Sequence, residues 1–73
     1  MKRVNVRRAH VALAILCEHA QDLIGRDVVC GADQLEAARA LVADVLHLCR
    51  KERVAKPITS VVVEGVKQFR KED

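Results

Sequence analysis

Thiol and imidazole side chains alternate at two places in this 73-residue chain, Cys17-Glu18-His19 and His47-Leu48-Cys49. These are the groups that bind zinc, but zinc needs ligands that converge, as CxxC or HxxxH spacings do. Residues two apart on a helix project to nearly opposite sides, so neither pair addresses one ion. With Cys30 the chain has three cysteines, an odd number that cannot all pair internally. No metal site is expected. Cys17 and Cys49 fall within helical apolar stripes, where a thiol behaves as a small hydrophobe. Reduced cysteines suit a cytoplasmic location.

Nucleophilic catalysis needs a hydroxyl or thiol beside a base, held in a cleft. Thr59 and Ser60 are the only hydroxyl side chains, and both stand where they open the last element. Asp44 and His47 are helical neighbours, a spacing that suits a surface hydrogen bond. Gly25 and Gly31 are six apart and lack the Lys-Ser/Thr pair that a P-loop requires. The chain is therefore expected to be non-enzymatic and to use no cofactor.

Charge is the more informative chemistry. Lys2, Arg3, Arg7 and Arg8 form one basic cluster, and Arg50, Lys51, Arg53 and Lys56 form another around Glu52. Either set suits phosphate contacts. Phe69 is the sole aromatic residue, which argues against stacking on single strands and leaves a duplex as the nucleic acid to consider. KRVNVR and the tail VVVEGVKQFRK each loosely resemble parts of the ribbon-helix-helix family. In that family the strand and two helices are contiguous, whereas here a whole helix intervenes, so the chain is not assigned to it. Residues 1–8 carry +4, residues 9–49 carry −4 and residues 50–73 carry +3. Basic ends around an acidic middle favour antiparallel pairing between chains, or an acidic partner at the ends.

The elements that position these groups follow from hydrophobic period. Val6, Ala9, Leu13, Leu16, Ala20 and Leu23 recur at steps of three and four, widened by Cys17 and Ile24, and predict a helix over 6–24. Asn5 is a suitable cap and Gly25 a suitable left-handed stop. Arg7 and Arg8 then fall in the first turn, where the helix dipole prefers negative charge. An extended start over Lys2 to Arg7 would remove that conflict.

Residues 25–32 read as a connector. Asp33, with Glu36 three later, reads as a capping-box-like start. The stripe of Leu35, Ala38, Leu41, Val42, Val45, Leu48 and Cys49 predicts a second helix over 33–53. Beyond Pro57, the residues Ile58, Val61, Val62, Gly65, Val66 and Phe69 share one helical face. The run from Ile58 to Val63 also has strand character, but a third helix over 57–70 is favoured, with 71–73 frayed.

Met1 to Cys17 has basic residues and a short apolar run, as a targeting leader does, yet Glu18-His19 stand where small residues belong. The helical stripe continues through to Ile24, so the segment is read as part of the domain. No run approaches the roughly 18 apolar residues of a membrane span.

These readings combine into one small all-α domain over 1–73. Its expected architecture is an antiparallel helical hairpin plus a short third helix, completed as a small bundle by homodimerisation. A chain this short, with almost no aromatic area, has little core of its own. Val11 and Ile15 are one turn apart and lie opposite the main stripe of the first helix. With Arg7 and Arg8 they are the expected partner-binding residues of a regulator, adaptor or inhibitor that acts by protein contact, on itself and on another protein. The alternative is a nucleic-acid-binding regulator using Lys2, Arg3, Arg7, Arg8, Arg50, Lys51, Arg53 and Lys56. No membrane partner is expected.

Overall fold

A computed structural model describes residues 1–54 and 57–73, among which there is no strand. Four helices follow in order among the described residues: α1 (Arg3–Glu18), α2 (Ala20–Ile24), α3 (Gly31–Glu52) and α4 (Ser60–Glu72). The all-α reading holds, and several boundaries move. The chain forms two compact units, Met1–Leu41 and Val42–Asp73.

In the first unit, α1 begins earlier than the expected Val6. Asn5 is not the cap but lies inside the helix. Lys2 holds the N-cap position in extended conformation (φ −66°, ψ 146°), and its side chain makes no capping hydrogen bond. Its carbonyl accepts from the Asn5 and Val6 N–H groups at 3.0 and 3.1 Å. Residues 3–7 are thus helical, and the extended start is overturned. The single long first helix is also corrected: it is interrupted at His19 (φ −105°, ψ 18°). The ladder is kept across the break, because the His19 N–H donates to Ile15 O at 3.1 Å and the Leu23 N–H to His19 O at 3.0 Å. No proline or glycine marks this site, and nothing in the local sequence explains it. Gly25 ends α2 as expected, with φ 72° and its N–H on Gln21 O at 2.9 Å.

Burial in this unit falls on Leu16, Ala20, Ala37 and Asp33. Val6 and Leu13, expected within the core stripe, stay exposed, as does Leu35, and Cys17 is exposed rather than packed. Two of the buried positions are alanines, whose short side chains remove little apolar area from water.

The start of α3 is also displaced. Asp33 is the third residue of the helix rather than its cap. From there it reaches back to the connector, one residue beyond the N-cap that a capping box would engage: Asp33 Oδ2 accepts from the Val29 N–H at 3.1 Å, and Oδ1 from Arg26 Nη2 at 2.9 Å. Glu36, read from the sequence as the reaching group, instead binds the same Arg26 Nη2 at 2.6 Å. The Val29 N–H first, and Arg26 second, hold the Asp33 carboxyl below the ordinary carboxylate range. Arg26 is raised in turn, first by Asp33 and then by Glu36. The acid also sits at the positive end of the helix dipole.

In the second unit, Cys49 is buried, while Val42, Val45 and Leu48 of the expected stripe are exposed. Arg50 and Lys51 occupy the last turn of α3, where cations meet the negative end of the dipole. The helix closes with the Val54 N–H on Cys49 O at 3.3 Å and Arg53 in the left-handed region at φ 56°. That is a Schellman-type end with arginine where glycine is usual.

The last helix starts at Ser60 rather than Pro57. The Ser60 N–H donates to Pro57 O at 2.9 Å, and the Val61 N–H to Ile58 O at 3.3 Å, so a tighter turn precedes α4. The helix reaches Glu72, which corrects the expected fraying of 71–73. Gln68 Nε2 donates to Glu72 Oε2 at 3.2 Å, and the Asp73 N–H to Phe69 O at 3.0 Å. None of its residues is buried; Val62, Val66 and Phe69 along its apolar stripe are exposed.

Candidate protein-interaction face

The face of α1 that carries the expected contact residues can be built from backbone period alone. At about 100° per residue, Val4, Val11 and Ile15 fall within about 40° of arc. The structure leaves all three open: Val4 is 58%, Val11 55% and Ile15 39% exposed. Arg3 and Arg7 border one edge of this stripe and Arg8 the other, and all three are exposed. Glu18, also exposed, lies at the far end of the helix on the same edge as Arg3 and Arg7. Arg7, Arg8, Val11 and Ile15 are therefore brought onto one surface, as their spacing implied.

Val4 is an addition that sequence reading missed. Val4 was hidden because the helix was taken to start at Val6; once the start moves to Arg3, Val4 stands seven residues before Val11 on the same face.

The electrostatics of α1 run against its own dipole. Its first turn has no acid and Arg3 sits at the positive end, whereas at Glu18 the backbone ladder runs on through His19 into α2. A charge misplaced at a helix terminus costs about 0.3–1 kcal/mol at an exposed position. Lys2 at the cap adds a further cation.

The remaining basic residues are placed separately. Lys2 precedes α1, while Arg50 and Lys51 end α3 and Arg53 follows it. Lys56 lies outside the described residues. Lys51 Nζ stands 3.7 Å from Glu52 Oε1, an exposed pair. The α3 cluster thus has a local account in the helix dipole, which the α1 cluster lacks.

An open groove of about 240 Å³ in the second unit is lined by Ala43, Leu46, His47, Arg50 and Ile58. It is smaller than the roughly 300–1,000 Å³ of small-molecule sites. Among the described residues no three or more His, Cys, Asp or Glu side chains gather to hold a metal ion. No helix of the described residues is long and apolar enough to cross a membrane.

Comparison with protein families, with characterised proteins and with solved structures finds no match to this chain.

Proposed function

We propose that this chain acts by protein–protein contact rather than catalysis, as a small regulator, adaptor or inhibitor. Val11 and Ile15 are the centre of the contact surface, with Arg7 and Arg8 beside them. The observation that carries the reading is the α1 face itself: exposed aliphatic residues in line, bordered by cations set against the helix dipole. Further support comes from α4 and from Leu35, Val42 and Leu48 of α3, whose apolar side chains remain wet. In this reading, an antiparallel hairpin with a third helix becomes a closed bundle only when another surface joins it. The free, exposed thiols of Cys17 and Cys30 accord with a reducing cytoplasm.

Replacing Val11 and Ile15 together by Asp tests this. Each aliphatic side chain contributes on the order of 1.5–3 kcal/mol when fully buried in a contact. The double variant should lose self-association or target capture while its far-UV circular dichroism stays unchanged. Unchanged mass by light scattering together with unchanged capture overturns the reading.

The second reading, duplex binding, draws on the exposure of Arg3, Arg7, Arg50 and Arg53. Phosphate contacts give an affinity that falls steeply with salt, and Arg7→Ala or Arg53→Ala would flatten the slope by about one unit each. No duplex binding at low salt retires it.

A further inference from the structure

We infer that the α1 face pairs with the same face of a second copy, the two helices running antiparallel about Val11. The inference deepens the contact reading above and rests on it, adding the identity of the occupant and its direction. Three features lead there.

The first is the polarity of the face. Its N-terminal half carries Arg3 and Arg7 and its C-terminal end carries Glu18. A parallel copy would set arginine beside arginine. An antiparallel copy sets Arg3 and Arg7 beside the partner's Glu18, and Glu18 beside the partner's Arg3 and Arg7.

The second is register. With Val11 at the two-fold axis, Val4 lies level with the partner's Glu18, and Arg7 level with the partner's Ile15. At a rise of about 1.5 Å per residue, Arg3 and Arg7 then flank the partner's Glu18 within one turn on either side. Arg3, Arg7 and Glu18 also share one edge of the apolar stripe, within about 60° of arc. A two-fold axis normal to the plane of two antiparallel helices brings like edges together, so these charges meet rather than falling on opposite sides. Val4, Val11 and Ile15 form the apolar seam between.

The third is the dipole. The arginines that stand against the dipole at the start of α1 gain, in the antiparallel pair, the carboxylate of the partner's Glu18. The layout that is unfavourable within one chain becomes complementary across two. Acidic docking partners of another kind would answer the arginines but leave Glu18 facing like charge. One helix pair buries less than the roughly 1,600 Å² of a standard interface, so the dimer is weak and concentration-dependent.

The test is sedimentation of the full chain over a wide concentration range, with charge reversals. Wild type should show reversible dimerisation that weakens as salt is raised. Arg3→Glu with Arg7→Glu, and separately Glu18→Arg, should each weaken it about tenfold or more, since like charges then face one another. Mixing those two variants should restore association as a heterodimer, because both ends become complementary again. Combining all three changes in one chain should restore it as well. Circular dichroism confirms that each variant remains helical.

A wild type that stays monomeric at every concentration overturns the pairing, as does association indifferent to charge reversal or not regained on mixing. If Val11→Asp with Ile15→Asp still abolishes capture of another protein in that case, the contact reading stands and only the self-pairing falls.

Discussion

The starts of α1 and α3 solve the same problem in opposite ways. Each helix opens with N–H groups that lack a carbonyl within the helix, at the positive end of its dipole. At α3 the chain sets an acid, Asp33, at that positive end; it takes Arg26 and the N–H of Val29 just before the helix, and is itself 8% exposed. At α1 it places Lys2, Arg3, Arg7 and Arg8 there, with no side-chain cap. One start is completed within its own unit. The other gathers cations at its positive end with no acid in its first turn, and it is there that aliphatic side chains also stand in water. Where local physics is satisfied, charge is structural; where it is defied, a contact beyond the chain is the natural account.

The widest test of this contrast is to remove the completed start. Asp33→Ala should lower the melting temperature by several degrees and release the connector, with the Val29 amide losing its protection in hydrogen exchange. Conversion to the α1 situation without loss of stability would erase the difference. Titration gives the same contrast in another variable. Because the folded Asp33 is held below the ordinary carboxylate value of about 3.9, its contribution is complete above that pH and is lost as pH falls through the lower folded value. A carbon-detected titration of Asp33 at or above the ordinary value removes the basis for that effect.

Completing the poor start should do the reverse. Lys2→Asp supplies both a cap and a favourable charge to α1, and should add about 1 kcal/mol to stability in denaturant unfolding. No gain would mean that the start of α1 is already satisfied. The corresponding change at a helix end is Arg53→Gly. Glycine tolerates φ 56° where arginine is strained, and the Schellman-type end should gain about 1 kcal/mol or slightly less, read from the same unfolding curves. A loss there would show that the arginine makes contacts worth more than its backbone strain.

Much of the helical content was legible in periodicity, including α4, where β-branched residues pulled toward a strand but the face from Ile58 to Phe69 held its helical spacing. Boundaries were less legible, each for a physical reason. Asn5 and Asp33 are both good capping residues, so each attracted a helix start, yet one lies within α1 and the other works from inside α3 by reaching backward. The interruption at His19 carries no proline or glycine to announce it. Burial was the weakest reading, because a stripe shows which side chains share a face but not whether anything covers them. Leu35, Val42 and Leu48 share their stripe with the buried Cys49 and are nonetheless exposed. Val11 and Ile15, the residues proposed for contact, were legible because they break a polar surface; Val4 depended on knowing where the helix begins.

Because Cys17 and Cys30 face solvent while Cys49 does not, the molecule carries its own chronometer. A small alkylating reagent should modify two thiols at once and the third only as fast as the second unit opens. The mass spectrum of a timed reaction would thus follow local unfolding without any introduced label, and its rate would compare the breathing of that unit across every variant described above.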